Sequence, residues 1–276
     1  MNEVGCRGDY LKLTIKRTFG MKFLFSLILV CLFFFLDVEV SARNVLLGIY
    51  PAEDYGGISY YIEGILMYGI NYKLFLVFMT MGFAASLPLD WESGIVPRLV
   101  KDLGFRKYAR VHIGLSALSG GVSVAGGFGL FFIWMGTKYP LLPDNFQQYG
   151  LYDFLQGMPY YSGLTKKDAA MFIVCLMIVF FLSGFIWTAL AAGISIYLKS
   201  SYLVMVFPYL LSRSYIELAK VIQLPDELRI DRWFTAMTQP FPIPVCLGIM
   251  TVFGLFCYLI SERIFLKSIK WRLENG

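Results

Sequence analysis

Long apolar runs separated by short polar segments dominate the pattern of this chain. Five runs are clear, and a sixth begins at Ser201 and becomes polar after Leu211. The five clear runs cover Phe23 to Leu36, Tyr72 to Leu89, Val111 to Met135, Ala169 to Leu198, and Ile243 to Ile260. Runs of about 20 apolar residues cross a bilayer as helices, and none of these has the alternation of a barrel strand. The pattern therefore predicts an all-α integral membrane protein with six transmembrane helices.

The composition supports this class. Of the 276 residues, 58% are hydrophobic and 16% are charged, whereas about a quarter of a soluble domain is charged. No hydrophilic stretch is long enough to fold as a soluble domain. We therefore expect residues 1–276 to form a single transmembrane domain.

Basic residues concentrate on one side of the predicted topology. With six spans, that side holds the N-terminal tail (1–22), the loop 90–110 that we call the elbow, Lys199, and the C-terminal tail (261–276). It carries about 15 of the 24 Lys and Arg residues, against about 7 acidic residues. The positive-inside rule then predicts that both termini are cytoplasmic.

The first apolar run has features of both a signal peptide and a membrane anchor. The basic pair Lys16-Arg17 precedes it, and Val40-Ser41-Ala42 follows it like a cleavage site. Against cleavage, the leader is long, and Asp37 and Glu39 are poor neighbours for such a site. We expect the run to be retained as a helix, although its removal would leave five spans with the C-terminus still inside.

The elbow carries the pattern of a short amphipathic helix. Ile95, Leu99 and Leu103 recur at i, i+4 and i+8, with Val96 and Val100 beside them. This spacing predicts one apolar stripe on a helix of about two to three turns.

Residues around this helix fit its ends. Ser93 is a candidate N-cap, Pro97 suits the first turn, and Gly104 is a candidate C-terminal stop. Two interpretations fit these features. The segment is either a basic loop that lies against anionic headgroups, or a rigid coupling helix that fits a groove in a partner protein.

The elbow and its flanks resemble the transmembrane subunits of type-2 ATP-binding-cassette (ABC) exporters. In those permeases the second helix ends in an acidic Glu-x-Gly-like segment, here Asp90-Trp91-Glu92-Ser93-Gly94. An amphipathic helix and a basic-Lys-Tyr pattern follow, here Arg106-Lys107-Tyr108-Ala109-Arg110, and then a third helix rich in small residues, here Leu118-Ser119-Gly120-Gly121. Residues 187–195 and Phe207-Pro208-Tyr209 match more loosely.

The resemblance implies a bacterial permease subunit that exports a substrate by alternating access across the plasma membrane. The elbow would dock on a separate cytoplasmic ATPase, and a second permease copy or a paralogue would complete the path. The residues that would couple to the ATPase are Asp90, Glu92, Gly94, Ile95, Arg98, Leu99, Leu103, Arg106 and Lys107. The chain has no Gly-x-x-x-x-Gly-Lys-Ser/Thr loop, so ATP hydrolysis is expected in the other subunit. We expect no cofactor, no metal and no nucleic-acid partner.

Two further features are candidates for a substrate path or a dimer face. Gly121, Ala125 and Gly129 recur every four residues, a spacing that lets helices approach closely. Packing inside one subunit is the alternative.

Arg213 and Glu217 are also four residues apart and can pair on one helix face. They would either line the outer half of a path or lie at the outer membrane interface.

The main alternative function is a membrane-embedded scaffold or sensor subunit without transport. An intramembrane enzyme would need clustered polar groups, and His112, the only histidine, has no partner motif. A secondary transporter would be expected to contain inverted repeats, and no internal repeat is evident. The substrate stays open among peptides, antibiotics, lipid-linked precursors and hydrophobic drugs.

Overall fold

The computed structural model describes residues 14–38, 58, 61–62, 65–66, 69–141, 166–229 and 243–275. All regular structure in these ranges is helical, and no strand occurs in them. Most of residues 40–71 and 136–168, which connect predicted runs on the side opposite the elbow, lies outside the described residues.

The helices used below are numbered in chain order. They are α1 Met21–Asp37, α2 Phe75–Phe78, α3 Leu87–Glu92, α4 Ile95–Leu103, α5 Phe105–Gly136, α6 Lys166–Ile194, α7 Ser201–Val221 and α8 Ile243–Asn275. Short 3₁₀ turns lie at Tyr72–Leu74, Met79–Met81, Ala84–Ser86 and Asp226–Leu228.

Among the described residues, four helices are long and apolar enough to cross a membrane. They correspond to α1 with a preceding turn from Thr14, α5, α6 and α8. These contain the first, third, fourth and last predicted runs almost completely, so helices are confirmed at four of the predicted runs, each long and apolar enough to span a membrane. The segment from Ser201 also forms a helix, α7, but Arg213 and Glu217 interrupt its apolar character and it is not among the four.

The second predicted run, Tyr72 to Leu89, is not one continuous helix. Short α-helices and 3₁₀ turns alternate along it, and Pro88, which has no amide hydrogen, lies in the first turn of α3. The Phe78 carbonyl oxygen accepts a hydrogen bond from Ser26 Oγ at 2.7 Å, and Ser26 Oγ lies 2.7 Å from Ser123 Oγ. Neighbouring helices thus satisfy a backbone group inside the bundle, which is the setting in which broken helices are tolerated in membranes.

Two buried clusters hold the helices together. The first joins α1, α5 and α6 through the rings of Phe34, Phe128 and Phe180, whose centroids lie 4.9 to 5.3 Å apart. The second packs the elbow against α5, α6 and α8. Phe265 and Ile269 of α8 are fully buried in this second cluster, because the segment predicted as a C-terminal tail continues α8 as far as Asn275.

Helices α5 and α6 meet along small residues, a contact that we call the seam. A Cβ atom on Gly184 would lie 2.5 Å from the Gly120 carbonyl oxygen, and one on Gly121 would lie 2.8 Å from the Phe181 ring. Side chains cannot be accommodated at such distances. At Gly121 the small-residue pattern therefore serves packing inside the chain.

Candidate coupling interface

Two glycines with positive φ set the shape of the elbow. Gly94, at φ 70° and ψ 11°, is the N-cap of α4, and Gly104, at φ 80° and ψ 152°, separates α4 from α5. The predicted helix ending at Gly104 is confirmed. The prediction that Ser93 caps it is wrong, because Ser93 instead ends α3 and its hydroxyl donates to the Asp90 backbone carbonyl at 3.1 Å.

The buried face of α4 is centred on Val96 and Val100, whose exposed fractions are 0% and 4%. Leu99 and Leu103 are half-buried beside them and pack on the same cluster. Ile95, at 38%, lies at the edge of this face. Most of the predicted apolar stripe therefore packs against its own chain, and little of it is left for a partner.

The surface of the elbow that faces away from the bundle is charged. Apart from Arg110, which pairs with Glu262 of α8, its exposed charged side chains are Glu92, Arg98, Lys101, Asp102, Arg106 and Lys107. Successive residues of a helix are rotated by about 100°, which places Arg98 and Lys101 opposite Val96 and Val100. A protein that docks here would contact a mixed surface in which basic side chains outnumber acidic ones.

Asp90 anchors the elbow to the turn that precedes α1. Its side chain is buried, forms an ion pair with Arg17, and accepts a hydrogen bond from Ser86 Oγ at 3.2 Å. The structure thus places Asp90, one of the predicted coupling residues, inside the chain. Arg17 was not predicted as part of this site, since 73 residues separate the two and no local pattern links them.

Trp91 anchors the elbow to α8. The guanidinium of Arg272 lies 4.2 Å from the Trp91 ring centroid, and its Nη1 donates to the Ile196 carbonyl oxygen at 2.8 Å. Nearby, Arg110 Nε lies 3.3 Å from a carboxylate oxygen of Glu262 on α8. These contacts bring the start of α1, the elbow and the last turns of α8 to one end of the bundle, which we call the basic end.

The candidates for a path or dimer face do not come together. Gly121 and Gly129 both face α6, towards Phe181 and Met177, and Ala125 is half-buried between them. Arg213 and Glu217 form the predicted ion pair at 3.6 Å, but their side chains are 51% and 55% exposed. The pair therefore lies on the surface of α7 and is not enclosed by the bundle.

Comparisons of the chain with known protein families, with curated proteins and with solved structures find no significant match.

Proposed function

We propose that this chain is the permease subunit of an ABC exporter and that its elbow receives the motion of a separate cytoplasmic ATPase. The proposal rests mainly on one arrangement. The charged face of α4 points away from the bundle, while the residues just before α4 are fixed to α1 and α8 by Arg17–Asp90 and Trp91–Arg272. A loop that only rests on lipid headgroups needs no such anchors.

The anchors give a route for mechanical coupling. Energetic coupling between distant sites travels through packed side chains, ion pairs and rigid elements. A displacement of α4 would act on α1 through Asp90, on α8 through Trp91, and directly on α5 through Gly104. Because Val96 and Val100 are buried in the second cluster, α4 would move together with these helices.

Charge supports a cytoplasmic position for the basic end. This end carries Arg17, the elbow, Lys199 and the last turns of α8, and the positive-inside rule places such a surface in the cytoplasm. Both termini and the elbow would then face the compartment that contains ATP. In the plasma membrane, the broken second run and α7 would complete the six membrane segments.

The assembly would contain two permease subunits, as a homodimer or with a paralogue, and two copies of the ATPase. The subunits together would enclose a path that opens alternately to each side. The cargo is an unidentified exported substrate, for which the apolar helices favour a hydrophobic or amphipathic molecule.

Co-purification tests this proposal. The tagged chain is extracted from its native host in mild detergent, and associated proteins are identified by mass spectrometry. We expect a stoichiometric soluble protein with a phosphate-binding loop, lost from the Arg98→Glu/Lys101→Glu variant. The control Lys138→Glu reverses a charge beyond the opposite end of α5 and should keep the partner. If the wild-type chain brings down no ATPase in several gentle detergents, the proposal is wrong and a scaffold or sensor is favoured.

A further inference from the structure

A cavity of about 210 Å³ opens at the basic end, beside the contact between Trp91 and Arg272. It is lined by Ile196, Tyr197 and Lys199 from the segment after α6, and by Ser268, Trp271 and Arg272 of α8. The lining has two basic side chains and no acidic one. This charge makes the cavity suitable for an anion.

Several side chains with hydrogen-bond donors border the cavity, whose surface is otherwise mostly apolar. Lys199 is exposed and has no ion-pair partner in the part of the chain that the structure describes. Arg272 uses Nη1 for the Ile196 carbonyl oxygen, which leaves its Nε and Nη2 hydrogens for a ligand. The Ser268 hydroxyl donates to the Tyr197 oxygen and to the Ile264 backbone carbonyl, so its single hydrogen is already used, whereas the hydrogen of the Tyr197 hydroxyl is left for a ligand. Cationic and hydroxyl donors of this kind bind phosphate oxygens.

The depth of the cavity corresponds to the headgroup region of a membrane. Helix α6, one of the four candidate spans, ends at Ile194, directly before the lining segment. Tyr197 and Trp271 flank the cavity and are 63% and 64% exposed. Tyr and Trp are enriched where a membrane meets water, and basic pockets between membrane helices bind anionic headgroups.

We propose that this cavity binds a phosphate group, supplied by the phosphodiester of an anionic phospholipid such as phosphatidylglycerol. Lys199 and Arg272 neutralise its charge, the Tyr197 hydroxyl, held in place by Ser268, donates to one of its oxygens, and the Trp271 ring lies against the glycerol region. Free inorganic phosphate offers the same chemistry and is the competing source. The proposal does not depend on the transport function, because it needs only a chain embedded in a membrane.

Binding at this site would also stabilise the elbow. Arg272 contacts both the cavity and the Trp91 ring, so a bound phosphate holds its guanidinium in the position that fixes Trp91. A ligand that binds only the folded arrangement stabilises that arrangement. An anionic lipid would therefore strengthen the contact between α8 and the elbow.

Native mass spectrometry of the full chain tests the site. The protein is reconstituted in nanodiscs of phosphatidylcholine with or without phosphatidylglycerol, and the lipids retained on release are identified. We expect the wild type to retain phosphatidylglycerol, and Lys199→Glu to weaken this binding by about tenfold or more, whereas Lys199→Arg restores it. The control Lys267→Glu makes the same charge change on exposed α8 surface outside the cavity and should bind normally.

Three results would overturn the proposal. One is a wild type with no preference for phosphatidylglycerol, and a second is equal loss in the Lys199→Glu and Lys267→Glu variants, which would indicate general surface charge. The third comes from thermal unfolding in phosphatidylcholine alone. If inorganic phosphate raises the midpoint of the wild type there but not that of Lys199→Glu, the cavity binds free phosphate and the lipid assignment is wrong.

Discussion

The seam and the elbow both depend on glycine, but for opposite physical reasons. In the seam, Gly120 and Gly184 lie so close that a Cβ on either would meet the backbone of the other helix. In the elbow, a Cβ added to Gly94 or Gly104 would have no neighbouring atom within 4 Å, yet both residues have positive φ. The seam therefore needs the small volume of glycine, and the elbow needs its backbone freedom.

This difference separates a rigid support from a part that can be displaced. Close-packed interiors respond to small volume changes and leave no room for a second arrangement, so α5 and α6 must behave as one body. The elbow has a charged, exposed outer face, and it is held by two charged contacts near α3 and by Val96 and Val100 in the second cluster. A partner that displaces the elbow would therefore move the helices packed on it, while the seam keeps α5 and α6 together.

The largest effect is expected in the seam. Gly184→Val would drive a side chain into the Gly120 carbonyl, and we expect a loss of more than about 3 kcal/mol or failure to fold. Gly129→Ala is the control, since its Cβ would meet only the Met177 methyl, the end of a flexible side chain, at 3.2 Å. Thermal unfolding and the yield of monodisperse protein in detergent measure both variants. Equal stability of the two would contradict a rigid seam.

The two elbow glycines should differ from each other. Gly104 occupies a region of φ and ψ that is open almost only to glycine, so Gly104→Ala and Gly104→Asn should each cost about 1 to 3 kcal/mol. Gly94 has the left-handed helical conformation that Asn tolerates, so Gly94→Asn should cost less than about 1 kcal/mol. Thermal unfolding checks the order, and tolerance of Asn at Gly104 would show that its conformation is not required.

A smaller effect is expected at the anchor to α1. Asp90→Asn removes a buried charge from its pair with Arg17, but Arg17 remains 43% exposed, so the expected loss is about 1 to 2 kcal/mol. The exposed neighbour Glu92 provides the control Glu92→Gln, expected to change stability by less than about 0.5 kcal/mol. A double-mutant cycle with Arg17→Gln isolates the pair. A coupling energy near zero would show that the Arg17–Asp90 pair does not hold the elbow in place.

Features set by local periodicity could be predicted from the sequence. The four spans, α4 with its end at Gly104, and the pair Arg213–Glu217 all follow from residues within one helix. The same periodicity correctly predicted the helix α4, but it predicted a buried stripe through Ile95, Leu99 and Leu103, whereas the residues buried most deeply are Val96 and Val100. Ile95 is 38% exposed at the edge of the buried face, because the orientation of α4 is set by Gly94 and by the helices on which α4 packs.

Features set by distant residues could not be predicted. The pair Arg17–Asp90 and the contact of Trp91 with Arg272 join segments far apart in the chain. The apolar pattern of the second run, Tyr72 to Leu89, also does not indicate where its helix is interrupted. At the break, the Phe78 carbonyl accepts a hydrogen bond from Ser26, which belongs to another helix.

Replacements on the outer face of α4 should have the smallest effect on stability. They also give the most direct test of the proposed coupling role of the elbow. A photo-crosslinking amino acid is placed singly at Arg98 and at Lys101, both exposed, with Lys138 near the opposite end of α5 as the control position. These exposed replacements should change stability by less than about 0.5 kcal/mol. In native-host membranes, Arg98 and Lys101 should crosslink to a soluble protein with a phosphate-binding loop, and Lys138 should not. Crosslinks from Arg98 and Lys101 to lipid alone would contradict a coupling role for the elbow.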